Sequence, residues 1–187
     1  MSSLDFYPSP SGGDAKRALH LAAAAFLALG LAGCLTPLHG PTASGVSMQD
    51  AFAAIEVAPV AAPPGQERLT HYLRSELVFD LDGSGQPRPK RYKLAVGATE
   101  RVATPIVDTV TGRAAAATLV ADATYTLSSL DGTRVITTGK ATASASYDRY
   151  IQRFANVRAA RDAEMRVAKL LSEQIRTRIA AALASGS

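Results

Sequence analysis

Two runs of strict alternation restrict what this chain can become. Ala117, Leu119, Ala121, Ala123, Tyr125 and Leu127 share one parity, while Thr118, Asp122, Thr124, Thr126 and Ser128 share the other. Successive side chains of a strand point to opposite faces, so the stretch has one apolar and one wet face, as antiparallel sheets allow. The second run puts Val135, Thr137, Gly139, Ala141, Ala143, Ala145 and Tyr147 on a single face. For the two apolar faces to be continuous, Leu127 must lie opposite an odd-numbered residue such as Val135. Leu130-Asp131-Gly132 is then a three-residue hairpin loop with Gly132 as its left-handed residue. The inward positions of the second run are mostly Ala and Gly, so a helix can approach that part of the sheet closely.

The flanking segments supply the remaining elements. Tyr92, Leu94, Val96 and Ala98 alternate with Arg91, Lys93 and Thr99, which predicts another half-buried strand, and the less regular 104–113 reads as a strand end and a connection. Residues 51–60, with Phe52, Ile55 and Val57, read as a short β-like stretch closed by Pro59 and Pro63-Pro64-Gly65. Between Gln66 and about Leu81 the period changes: Leu69, Leu73 and Leu77 recur every four residues with Tyr72 beside them, an amphipathic helix that the loop 82–90 ends. From Val157 to about Ala184 a long helix carries Val167, Leu171, Ile175, Ile179 and Leu183 on one stripe, extended by Ala160, Ala163, Leu170 and Ala182. Arg158, Asp162, Arg166, Lys169, Glu173 and Arg176 form its charged face, which reads mainly as a solvated helix surface. Strands joined by hairpins between two helices predict an α+β domain. The expected form is a two-layer sandwich whose mostly antiparallel sheet, of about four strands, is covered on one face by two helices.

The amino-terminal segment has a different character. Ala18 to Gly33 is a run of sixteen residues with no formal charge, preceded by Lys16-Arg17 and ending in small residues. At about 1.5 Å per residue it spans roughly 24 Å, short of a hydrocarbon core of about 30 Å, and its three-part layout is that of a cleaved export signal. The chain has a single cysteine, Cys34, directly after this run, and Leu31-Ala32-Gly33-Cys34 resembles the bacterial lipobox, in which the thiol is acylated and the chain is cut just before it. The expected organisation is a signal over 1–33, a lipid-tethered linker over 34–50 rich in Pro, Gly and Ser, and a domain over 51–187. Leu35 follows the cysteine where Asp would favour retention, so the resemblance implies passage to the outer membrane.

Little in the folded part points to catalysis. Its histidine is His71, on a helix flank, since His20 and His39 belong to the signal and the linker; this is too few and too scattered for a metal site or a Ser-His-Asp triad. No Gly-x-Ser-x-Gly elbow and no phosphate-cradling glycine loop occurs. The net charge of +4 resides in the mature part, because Lys16 and Arg17 balance Asp5 and Asp14, and no basic run interleaved with aromatics suggests nucleic acid. The cations Arg88, Lys90, Arg91 and Lys93 run from a loop onto a strand. Arg91 and Lys93 are placed to meet phosphate or carboxylate groups from one wet face, unless they merely protect a strand edge.

Taken in order, Cys34 with "TPLHG", "LRSEL" (73–77), "RYKLAV" (91–96), "ADATYTL" (121–127), "SYD" (146–148) and "FANVRAARDAEMRVAKLLSEQI" make the chain similar to the LPS-assembly lipoprotein family LptE of alphaproteobacterial type. The likeness departs at Cys34-Leu35-Thr36-Pro37-Leu38-His39-Gly40, one residue shorter than the family's usual start and with His39 in place of Tyr. The resemblance implies a non-enzymatic outer-membrane lipoprotein without cofactor or metal. It would be held by lipidated Cys34, form a plug-like complex with the β-barrel LptD, and assist lipopolysaccharide assembly. Arg91 and Lys93 are expected lipopolysaccharide contacts on charge and geometry alone. The alternative is an accessory lipoprotein of an envelope ABC-type lipid transporter.

Overall fold

The structure is a computed structural model that describes residues 42–83, 88–107, 114–149 and 152–186. Cys34, the segment expected to be a signal and most of the expected linker lie outside the described residues, as do 84–87 of the loop and 108–113 of the expected connection.

The described chain opens with a helix where a strand was expected. Ser47 Oγ accepts from the Asp50 N–H at 3.1 Å and donates to the Asp50 carboxylate at 2.7 Å, a reciprocal cap that starts α1, Met48–Ala53. Phe52 is therefore a helical core residue, 4% exposed, and only Ile55–Val57 remains as strand β1. The helix also takes in the last residues of the stretch read as linker.

Helix α2 runs Glu67–Asp82 and returns the chain to β2, Tyr92–Val107, which pairs in parallel with β1 through Ile55 and Tyr92, Glu56 and Lys93, Val57 and Leu94. Strands β3, Ala114–Ser129, and β4, Val135–Asp148, follow by antiparallel pairing, so the mixed sheet has the order β1-β2-β3-β4. Helix α3, Arg153–Ser185, closes the fold. The two-layer α+β architecture expected from the sequence is thus present, with one parallel pair at its edge. Among the described residues no helix is long and apolar enough to cross a membrane.

Strand β2 extends beyond the region of clear alternation. Its register with β3 is regular from Tyr92 opposite Ser129 to Ala103 opposite Thr118, then shifts before Ile106 meets Ala116. Pro105 lies within that shift, and a residue without an N–H is tolerated in a sheet where the ladder is already broken.

The β3–β4 hairpin keeps the expected faces but not the expected register. Leu127 pairs with Thr137, Tyr125 with Gly139 and Ala123 with Ala141; the ladder then shifts to Ser128 opposite Val135, which leaves Ile136 as an extra residue. The loop is Leu130–Thr133, closed by Ser129 N–H donating to Arg134 C=O at 2.8 Å, and Gly132 takes the left-handed conformation with φ 74°. The bulge inverts the side-chain sequence at the strand's start. Val135 turns outward, 58% exposed, while Ile136 packs against the core.

Leu94, Val96 and Ala98 of β2 and the odd residues of β3 from Ala117 to Leu127 face the helices and are buried, as are Ala141, Ala143 and Ala145 of β4. Leu69, Leu73 and Leu77 of α2 and Val167, Leu171, Ile175 and Ile179 of α3 are fully buried, each contributing about 1.5–3 kcal/mol by leaving water. Leu170, expected on this stripe, is 42% exposed. The two helices run in the same direction, since Arg68 meets Glu164 and Asp80 meets Ser172 further along both. On the outer edge of the sheet, Arg166 and Gln174 of α3 each donate to a carbonyl of β4, at Ser146 and Thr142, both at 3.0 Å.

Candidate functional site

The groove that best suits a ligand lies where α1, the start of β2, the hairpin loop and the end of α3 converge. Its position follows from main-chain bonds. Arg91 N–H donates to Ala54 C=O at 2.8 Å, Leu130 N–H donates to Arg91 C=O at 2.9 Å, and Ala43 N–H donates to Leu183 C=O at 3.3 Å. The resulting cavity is about 610 Å³, with Arg88, Arg91 and Arg134 on its walls and Val46, Ala54, Ile136 and Leu183 among its apolar lining. A ligand site of this kind needs an apolar body and a few oriented polar groups, and guanidinium forks match phosphate and carboxylate oxygens.

The cations of this region are not equivalent. Arg88 pairs with Asp50 and so braces α1, while Lys90 donates to Asp82 at 2.7 Å and to Ala53 C=O at 2.8 Å and so ties α1 to the end of α2. Arg91 and Arg134 form no salt bridge among the described residues and are exposed. Arg91 thus joins Arg134 across the groove. Lys93, expected beside Arg91, is exposed on strand β2 opposite Glu56 of β1 and Ser128 of β3 and does not line the cavity. Arg134 was missed because only the hairpin register brings it to Arg91, although its place just before an alternating run was a usable signal.

A second polar cluster sits between the layers. Glu164, on the inward side of α3 and 4% exposed, accepts from Arg68 Nε and Nη2 at 2.5 Å each, while Arg68 itself is half-exposed. The short bidentate contact raises the pKa of Arg68, with hydrogen bonding to Glu164 its main cause. Glu100 on β2 faces the same pair. Burial pushes its carboxyl above the ordinary range, the neighbouring Glu164 adds to this, and Arg68 opposes it. The Glu100 main chain is clamped by Gln66, whose carboxamide donates to Glu100 C=O at 3.2 Å and accepts from its N–H at 2.8 Å, as a further strand would. This cluster ties α2, α3 and β2 together.

Among the described residues no three His, Cys, Asp or Glu side chains gather where a metal ion would be held. His71 is exposed on α2, its ring 6.1 Å from that of Tyr72.

No protein-family model matches the chain, and no curated protein matches it. Solved structures do. A protein from Caulobacter crescentus CB15, described provisionally as a lipoprotein, has 22% identity and a TM-score of 0.61, over 75% of this chain and 97% of its own. A minor lipoprotein from Acinetobacter baumannii has 18% identity and a TM-score of 0.47, over 69% and 92% of the two chains. The rare lipoprotein B from Shewanella oneidensis has 14% identity and a TM-score of 0.37, over 70% and 92%. The chain shares the fold of the Caulobacter protein along nearly the whole of that protein's length.

Proposed function

We propose that this chain is a non-enzymatic lipoprotein of the Gram-negative outer membrane. Acylated Cys34 anchors it, and it forms a plug-like complex with an LptD-type β-barrel and assists lipopolysaccharide assembly. The observation that carries the reading is the groove in which two arginines, Arg91 and Arg134, without a salt bridge among the described residues, stand over an apolar lining, a chemistry suited to an anionic, acylated glycolipid. The ordered set of motifs shared with the LptE family supports it, as does a fold similar to that of a protein described as a lipoprotein. Two or more acyl chains on Cys34 would hold the domain stably at a bilayer.

A gentle detergent pull-down of the mature protein from its own outer membrane tests the partner. A stoichiometric LptD-type barrel is expected; an inner-membrane transporter subunit in its place would favour the ABC-accessory alternative. Lipopolysaccharide binding by the purified protein tests the groove. The double variant Arg91→Glu/Arg134→Glu is expected to weaken binding about ten-fold or more, with little change for Lys93→Glu. Equal effects in both variants would move the contact to the open sheet face, and unchanged binding in both would remove these cations from the account.

A further inference from the structure

A second cavity, about 540 Å³, opens between α1, the end of α2 and the middle of α3. Arg176 of α3 lies in its wall with the guanidinium carbon 5.5 Å from the centre of the Phe52 ring. Its Nε is sealed from solvent and has no hydrogen-bond partner among the described residues. Asp80 lines the same cavity, but its carboxylate accepts from Ser172 Oγ at 2.6 Å, and Arg176 forms no salt bridge among the described residues. The guanidinium is partly desolvated and unpaired among the described residues, so a carboxylate reaching its outer nitrogens, which are not sealed as Nε is, would compensate a charge the fold leaves unbalanced. Phe79, another lining residue, is 72% exposed, and Val78 beside it on α2 is 39% exposed.

We propose that this cavity is a docking site for a protein partner that inserts an Asp or Glu carboxylate against Arg176 and covers Phe79 with a neighbouring apolar residue. Among the described lining residues Arg176 is the one cation, and Asp80, the one carboxylate, is engaged by Ser172, so an incoming carboxylate finds Arg176 available to it. A free small anion would leave Phe79 and Val78 in water, whereas a polypeptide satisfies the donor and buries the aromatic together. Arginine and aromatic side chains at a pocket are also the residues that dominate protein interfaces. The chemistry of the site stands independently; naming the partner as the LptD-type barrel rests on the function proposed above.

The test places p-benzoylphenylalanine at position 79 of the full-length lipidated protein in its native envelope, irradiates, and sequences the cross-linked peptide. The expected adduct is with the barrel, at a segment carrying Asp or Glu within a residue or two. Arg176→Met should reduce its yield about ten-fold, the loss of one hot-spot side chain, while the isolated protein melts at or above the wild-type temperature. An Arg176-dependent adduct with a carboxylate-bearing segment of a different protein would support the cavity and overturn the barrel as partner. A barrel that co-purifies without an adduct at 79 would overturn the docking site and leave the barrel reading standing. An adduct indifferent to Arg176→Met, or mapped to a segment without a carboxylate, would do the same. Neither adduct nor barrel would overturn both.

Discussion

Glu164 illustrates how a charged side chain becomes part of a core. Its inward position on α3 would leave a buried carboxylate if Arg68 did not reach it from α2, and a buried charge is tolerated only when paired. The helical stripe of apolar residues did not reveal it, since Glu164 interrupts that stripe and its partner lies 96 residues away. Glu100 lacks such a partner, its Oε2 being buried with no hydrogen-bond partner among the described residues. Because the folded state raises its pKa above the ordinary 4.5, the folded protein holds this proton more tightly than the unfolded chain. The favourable contribution is therefore complete below pH 4.5 and declines as pH rises through the folded value. Glu100→Gln should match the wild type in urea unfolding at low pH and exceed it increasingly towards neutrality. Equal midpoints at pH 7 would show that Glu100 carries no such burden. Gly139 makes room of another kind, since a Cβ there would meet the Tyr125 hydroxyl oxygen at 2.5 Å.

At the level of elements, the hairpin separates what alternation can and cannot specify. Parity told which residues of β3 and β4 face the helices, because a strand's side-chain period is two. It could not fix the register, since a shift by two residues preserves every face, and it could not anticipate a bulge that inverts Val135 and Ile136. The helix α1 was legible in another way: Ser47 followed three residues later by Asp50 is a capping signal, outweighed by the β-branched Ile55 and Val57 just beyond. Of the groove, Arg91 was found by charge, while Arg134 needed the three-dimensional pairing of the loop. Gly132→Ala tests the loop itself. At φ 74° the added Cβ should cost about 1–2 kcal/mol, read as a lower urea midpoint at unchanged slope. A neutral outcome would mean that the turn relaxes to another form.

Across the whole molecule, the helices cover one face of the sheet, and α3 also shields the β4 edge through Arg166 and Gln174. Strand addition at that edge is thereby opposed, which leaves the groove, the Arg176 cavity and the hydroxyl-rich outer face for recognition. The parallel pairing of β1 with β2 sets an order in time as well as space. The β3–β4 hairpin joins neighbours in sequence, whereas β1 must wait for α2 and β2, and the apolar face of the sheet for α3 at the end of the fold. Non-local pairing carries its entropic cost before any contact rewards it, so the hairpin should nucleate folding and β1 dock late. Ala123→Gly should then slow refolding while Val57→Ala mainly speeds unfolding, in stopped-flow chevrons; the reverse partition would place the nucleus at the parallel pair. A chain released amino end first would keep β1 unpaired until β2 had followed, and the apolar face of its sheet open until α3 followed in turn, so its vulnerability to proteolysis would be set by the time that separates the emergence of these segments.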